Sequence, residues 1–208
     1  TGTPGPTATP TPTSAVTRAP TTITLQKGLL GYTGATDTYI NTWSPAENRG
    51  GDVSMVVRDS SVKKGLLRFD LSGIPTGATV VRGTLSLWVT GRSNGTSLTL
   101  TAYRVLRPWT EREATWNLAA AGAPWAAAGC AQPGSDYGSA GGSALISNVG
   151  TWVNLDVTDI VQDWVSSPGS NRGLLLVGSS YTNVEYSFAT SDQWWRLSQT
   201  PMLTIEYQ

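Results

Sequence analysis

Aliphatic side chains recur at every second position in one short run after another, and this alternation constrains the chain more than any other feature. TTITLQ sets Ile23 and Leu25 on one face, and GTLSLWV sets Leu85, Leu87 and Val89 against Thr84, Ser86 and Trp88. SLTLTA repeats the pattern with Leu98 and Leu100, and PMLTIEY repeats it with Leu203, Ile205 and Tyr207. A period of two fits strands with one buried face and does not fit a helix. LLRFDL and GLLLVG are apolar at consecutive positions, as expected of central strands covered on both faces. Asn94-Gly95, between the second and third alternating runs, reads as a tight hairpin turn. Only DVTDIVQDWV has helical spacing, with Val157, Ile160, Val161 and Trp164 on one stripe and Pro168-Gly169 as the stop. Many short strands and one short helix predict an all-β, jelly-roll-like β-sandwich.

The first twenty residues, TGTPGPTATPTPTSAVTRAP, obey a different rule. Pro4, Pro6, Pro10, Pro12 and Pro20 fall here, and most of the remainder is Thr, Gly and Ala. Such a segment buries too little apolar area to offset its ordering entropy, which predicts an extended, polyproline-like tail. The chain therefore divides into a tail or linker, 1–20, and one domain, 21–208, large enough for a single full core. The tail takes a fixed form only if its own domain, a neighbouring subunit or attached sugar holds it. Thr7, Thr9, Thr11 and Thr13 have the Thr-Pro alternation of O-glycosylated stalks. Asn94-Gly95-Thr96 is either an N-glycosylation sequon on an exposed turn or a bare turn.

Charge and composition exclude several functions. Lys+Arg and Asp+Glu both number 14 and only 13% of residues are charged, so no broad basic face exists for nucleic acid. A net charge of zero tolerates self-association. No apolar run reaches the ~18 residues of a membrane helix. The chain starts at Thr1 without a signal-peptide pattern, which fits a processed secreted protein or an excised domain. Cys130, the lone cysteine, has no internal disulfide partner and reads as a small buried apolar residue. With no His there is no imidazole base, no Ser-His-Asp relay and no His-rich metal site. Glu111 and Glu113 are the closest pair for carboxylate glycosidase chemistry, yet Thr110 to Glu113 reads as a capping box. Asp156 suits the helix N-terminus, and Asp159 and Asp163 a solvated face. The three could alternatively hold a structural Ca²⁺, although they lack the ligand spacing of a defined loop. No catalytic residue, metal ligand or cofactor is expected.

Binding is better supported, because the chain carries nine tryptophans. Trp109, Trp116 and Trp164 read as core or corner residues. Trp88 is out of phase with Leu85, Leu87 and Val89, and Trp152 shares its face with Asn154 and Asp156 rather than with Val153, Leu155 and Val157. If the aliphatics define the core, both indoles lie on the outer surface, where they can stack on a sugar ring or a neighbouring chain. A bulge would reverse that assignment. Trp194 and Trp195 are adjacent, so at least one is exposed on any strand-like segment. Arg196 beside them can bind hydroxyls or a carboxylate, which suits acidic polysaccharide. Trp43, in the loop NTWSPAENRGG, is a further candidate.

Several phrases taken together resemble the DNRLRE-type extracellular β-sandwich domains. In order, they are DTYI (37–40), GLLRFDLSGIPTGATV (65–80), YRVLRPWTEREATWN (103–117), NLDVTDIVQDWV with NRGLLLVG (154–178), and YSFATSD with PMLTIEY (186–207). The resemblance spans nearly the whole domain and implies a secreted, non-catalytic module appended to enzymes, adhesins or surface polymers, related to carbohydrate-binding modules. The chain departs from the family pattern near its end. Ser191-Asp192 stands where Ser-Glu is usual, Thr200 stands where Arg is usual, and Gln-Trp-Trp-Arg is inserted between them.

Two readings of function follow. In the first, the protein is a subunit of an extracellular filament or surface layer, joined to copies of itself through the tail. A tail of this length spans roughly 60 Å at ~3.1 Å per residue, more than the diameter of about 40 Å implied by a radius of gyration near 16 Å. It can reach the next subunit and lay Ser14, Ala15, Val16, Thr17 and Arg18 along a sheet edge, where Pro interferes least. In the second, the domain binds glycans and the tail is a linker to an enzyme or adhesin. The neutral, Thr-rich composition tilts the expectation towards the filament.

Overall fold

The computed structural model describes residues 1–2 and 19–208. The expected tail sites Thr7, Thr9, Thr11 and Thr13, and the linking segment Ser14 to Arg18, lie outside the described residues. From Thr21 onwards the chain is β-rich. Its strands are β1 (Thr21–Gln26), β2 (Ala35–Asn41), β3 (Ser54–Arg58), β4 (Lys63–Phe69), β5 (Val80–Arg92), β6 (Leu98–Val105), β7 (Leu118–Ala120) and β8 (Ala123–Pro124), followed by β9 (Tyr137–Ile146) and β10 (Thr151–Asp156). Helix α1 (Thr158–Ser166) precedes β11 (Leu174–Ser179), β12 (Glu185–Ala189) and β13 (Met202–Tyr207).

Eleven strands form one continuous array in the order β1-β13-β5-β12-β3-β4-β11-β6-β9, with β10 added to β5 and β2 to β4. Between β3 and β4 the pairing falls to a single residue pair, Arg58 with Lys63. There the array turns over, so β1, β13, β5, β12, β3 and β10 face β2, β4, β11, β6 and β9. The alternating aliphatics meet between the layers as the sequence predicts. Leu85, Leu87, Val89, Val153, Leu155, Leu203 and Ile205 pack in one cluster with Leu67, Phe69, Leu98, Leu100, Leu174 and Leu176. This is the all-β sandwich expected. The Asn94-Gly95 hairpin is not formed. β5 pairs with β13, β10 and β12 and β6 pairs with β11 and β9, so residues 93–97 carry the chain from one layer to the other. The Asn-Gly pair marks a bend in the chain, but it gives no information on which strands then pair. Asn94 itself is bonded within this arch, its amide donating to the Asn183 carbonyl (2.8 Å) and its Oδ1 accepting from Thr96 N–H (2.9 Å).

The helix forms where its spacing places it and closes one end of the sandwich with Ile160, Val161, Trp164 and Val165. Asp156 Oδ1 accepts from the Thr158 hydroxyl (2.6 Å) and N–H (2.9 Å), and these bonds hold its carboxyl below the usual carboxylate range. Asp163 pairs with Arg104 and Asp159 is exposed, so the three aspartates do not converge on a cation. The Thr110–Glu113 capping box is also overturned. Residues 111–113 make a turn rather than a helix, and Glu113 Oε2 accepts from Ala121 N–H at 3.0 Å.

A second, smaller core lies on the outer face of β2, β4, β11 and β6. Ile40, Leu66, Leu175 and Val105 are covered there by Trp109, Ala114, Ala119, Trp125 and Cys130 from the long 106–136 connection. The dense runs LLRFDL and GLLLVG are therefore buried on both faces, as their composition predicts. The Cys130 thiol is buried and pushed up to about 12, first by desolvation and then by the Asp136 charge. Asp136 pins this connection: Oδ1 accepts from Ala126 N–H (2.8 Å) and Arg107 Nε (3.0 Å), and Oδ2 from Ala127 and Gln132 N–H (both 3.0 Å). Burial alone would raise the carboxyl, but these four donors hold it below its ordinary value. Its stabilisation is thus complete above the unfolded carboxylate pKa of about 4 and is lost as pH falls through the lower folded value. Asp136→Asn turns an NH₂ towards those donors and should cost about 3 kcal/mol in urea unfolding, with the deficit against wild type shrinking in acid.

Candidate functional site

The 190–200 loop links β12 to β13 and is a succession of turns. Its backbone bonds include Gln193 N–H to Thr190 O (3.3 Å), Arg196 N–H to Gln193 O (3.2 Å), Gln199 N–H to Arg196 O (2.9 Å) and Thr200 N–H to Leu197 O (3.2 Å). It is tied to the sandwich at both ends. The Thr190 hydroxyl donates to Asp52 O (2.8 Å), and Gln26 Nε2 donates to Thr200 O (2.9 Å). The tight turns leave Trp194 77% exposed and Trp195 49% exposed, with ring centroids 5.4 Å apart in an edge-to-face pair. Large indoles kept this open to water lie outside any core, whose formation would have buried them.

Trp88 and Trp152 face outward, because Leu85, Leu87, Val89, Val153 and Leu155 take the core side. They are directly opposed across β5 and β10, half-buried, with centroids 5.4 Å apart at 73°. The loop bends back over this face. Trp88, Val89, Thr90 and Gly150 from the sheet and its edge, with Gln193, Trp195, Arg196 and Gln199 from the loop, line one cleft of about 340 Å³. Arg196 is exposed and makes no ion pair among the described residues. The cleft thus offers two indole surfaces and an uncommitted guanidinium, a chemistry suited to a sugar ring bearing hydroxyls or a carboxylate.

Trp43 is not part of this group. Although 60% exposed, it lies beneath Arg58 and Lys63, each 4.9 Å from its ring, and both cations pair with Glu185 at the far end of β12 from the loop. Trp109 and Trp164 are core residues, as expected, whereas Trp116 is half-buried. It borders a broader groove of about 620 Å³ on the outer face of β4, β11 and β6, with Lys64, Tyr103 and Tyr137. Sequence reasoning passed over Tyr103, yet it is out of phase with Leu98, Leu100 and Ala102 just as Trp88 is with its neighbours. The groups in this groove are largely engaged. Lys64 donates to Gly129 O (2.9 Å) and sits 5.4 Å from the Trp116 ring, and burial lowers its pKa. Gly129 is required there, since a Cβ would meet Trp116 at 2.4 Å and φ is +83°.

A β-sandwich carrying exposed aromatics and an unpaired guanidinium over an outer sheet face has the form of a sugar-binding module. The chain belongs to carbohydrate-binding module family 96, whose model matches residues 30–207. No match was found among curated proteins. The match covers the whole sandwich except β1, and among the described residues no helix is long and apolar enough to cross a membrane. It favours the glycan-binding reading over the filament expected from composition. The different settings of the indoles predict different costs. Trp88→Ala breaks a half-buried cross-strand pair and should cost about 1 kcal/mol. Trp194→Ala should leave stability within about 0.5 kcal/mol of wild type, both measured by denaturant unfolding.

Proposed function

We propose that this protein is a secreted, non-catalytic carbohydrate-binding module of the DNRLRE type, which holds an acidic polysaccharide in the cleft of Trp88, Trp195 and Arg196. The observation that carries this is the unpaired Arg196 guanidinium set beside exposed indoles over one continuous cleft. Trp195 and Trp88 supply stacking surface, Gln193 and Gln199 supply hydrogen bonds to hydroxyls, and Arg196 recognises a uronate carboxylate. Trp194, more exposed still, extends the platform beyond the cleft. Residues 21–208 form the module, and the Thr/Pro-rich tail, 1–20, is a linker to further protein, glycosylated on its threonines.

A binding role fits the carboxylates as well. Glu111 Oε1 accepts from Asp37 N–H (2.8 Å) and Glu113 Oε2 from Ala121 N–H, so each carboxylate is engaged by a separate backbone segment. The filament draws no support from the family match, and its linking segment, Ser14 to Arg18, lies outside the described residues. The carbohydrate reading is the one that the family match supports.

Titration calorimetry against polygalacturonate and neutral glucans tests it. Wild type should bind the acidic polymer more tightly and lose that preference as salt rises. Trp195→Ala and Arg196→Ala should each weaken binding about 30-fold, corresponding to about 2 kcal/mol, with the melting temperature nearly unchanged. A loss confined to Trp116→Ala or Tyr103→Ala would move the site to the groove on the opposite layer. Equal binding to neutral and acidic polymers would overturn the role of Arg196, and binding to none would overturn the function.

A further inference from the structure

Three phrases noted in the sequence take no part in the Trp88 cleft and converge at one end of the sandwich. LLRFDLSGIP brings Asp70, Leu71 and Ile74 from the turn after β4, DVTDIVQDWV brings Trp164 and Val165 from α1, and NRGLLLVG brings Asn171. Together they line a cavity of about 340 Å³. Ile74, Trp164 and Val165 are buried and form its floor, whereas Asp70 is exposed at its rim. A more open hollow of about 420 Å³ adjoins it across Asp70, Pro168 and Asn171, and adds Thr36 and Arg68. Neither shares a lining residue with the Trp88 cleft.

The polar groups here are held in place and yet incompletely used. Asp70 Oδ1 accepts from Ser72 N–H and Oδ2 from the Ser72 hydroxyl, both at 2.9 Å, which fixes the carboxylate and leaves each oxygen a further lone pair. Asn171 Nδ2 donates to Phe69 O (2.9 Å) and its Oδ1 accepts from Gly173 N–H (3.1 Å), so it clamps the turn after α1 to the end of β4. Arg68 and Asp70 line the same hollow without pairing with each other, and neither forms an ion pair with any other described residue. The Trp164 indole N–H and the Thr36 hydroxyl are buried with no partner among the described residues. This sets Trp164 apart from Trp109 and Trp125, the other buried indoles, whose N–H groups donate to backbone carbonyls. A buried indole ordinarily finds an acceptor.

We propose that this cavity is a second glycan site, which takes the terminal residue of a neutral oligosaccharide. Its volume lies at the lower end of the range for small-molecule pockets, about 300–1,000 Å³. With a closed floor it admits one ring end-on rather than a chain running through. Asp70 accepts from sugar hydroxyls at the rim, and Arg68, in the adjoining hollow, donates to oxygens of the residue that follows. Leu71, Ile74 and Val165 meet the C–H face of the ring. Charge decides the class of ligand. The Trp88 cleft is lined by a guanidinium and no carboxylate, and so favours an anion. Here one carboxylate and one guanidinium balance, and a uronate in the cavity would face Asp70. A sugar hydroxyl both donates and accepts, so a neutral ring serves both charged groups without bringing a charge of its own. The inference rests on the glycan-binding reading for the kind of ligand and not for the place.

The test uses the full chain in ¹H–¹⁵N spectra and calorimetric titrations with cellobiose, maltose, mannobiose and galactobiose. At least one of these should bind at millimolar concentration and shift the Trp164 indole N–H resonance, leaving those of Trp88 and Trp195 in place. Asp70→Asn, which keeps the shape of the side chain, and Arg68→Gln should each weaken that binding at least roughly ten-fold. Both should keep the wild-type melting temperature and the binding of polygalacturonate, a polymer that presents few ends and reads the cleft. A Trp164 shift with a disaccharide in a chain that does not bind polygalacturonate would sink the cleft and support the cavity. No heat and no Trp164 shift with any of the four sugars would overturn the cavity. So would undiminished binding in both Asp70→Asn and Arg68→Gln, or loss of binding in Trp195→Ala, which places the sugar in the Trp88 cleft. A larger Trp164 shift with leucine, an apolar zwitterion, than with any disaccharide would overturn the class of ligand.

Discussion

The structure depends on β4 and β11 being buried on both faces. Leu67, Leu174 and Leu176 point into the space between the layers, while Leu66 and Leu175, one residue out of phase, point the other way and need cover of their own. A sheet with two apolar faces is unstable in water unless both are packed. The 106–136 connection exists in its folded form to meet that need. It brings Trp109 and Trp125, whose indole N–H groups donate to Arg172 O (2.7 Å) and Thr115 O (2.9 Å), so each ring is buried without stranding its polar atom. Most of this connection is loop, and a loop can be buried only if its backbone is satisfied, which the Asp136 carboxylate does for three of its N–H groups.

This arrangement explains how much the sequence reveals. A period of two is a local property, so β1, β5, β6 and β13 are legible from a few residues each, and the helix is legible for the same reason at its own period. The doubled apolar runs correctly identify central strands. What is not legible is pairing. The Asn94-Gly95 turn looks identical whether the chain doubles back in one layer or crosses to the other, and only the packing of β5 against β13, β10 and β12 decides. β9 escapes for a different reason. Its Gly-Ser-Ala composition carries no alternation, because Gly141 and Gly142 lie against the Asp156 backbone, where a Cβ would come within about 3 Å.

The tryptophans follow the same division between local and global information. Phase places Trp88 and Trp152 outside only if no bulge intervenes, and the unbroken β5–β10 register meets that condition. Adjacency alone exposes Trp194 or Trp195. Nothing in the sequence, however, brings Trp195 to Trp88, because that meeting depends on β13 pairing with β5, with Met202 opposite Ser86, two residues from Trp88. Trp43 has the same loop-borne, exposed look and lies elsewhere, under two cations shared with Glu185. Residue type indicates which side chains can bind sugar, and strand order decides which of them can act together.

The placement of the loop also accounts for the polar atoms beneath it. A segment that exposes two indoles receives almost no stabilisation from apolar burial, so its conformation must be fixed by bonds at its base. Thr190 and Thr200 are anchored through Asp52 O and Gln26, and Ser191 through the Asp37 carboxylate. The last of these anchors sets an acidic oxygen inside the protein, where desolvation pushes the carboxyl up to about 7 against the pull of its Ser191 bonds. The same carboxylate therefore ties β2 of the sandwich to the start of the loop that carries Trp194, Trp195 and Arg196.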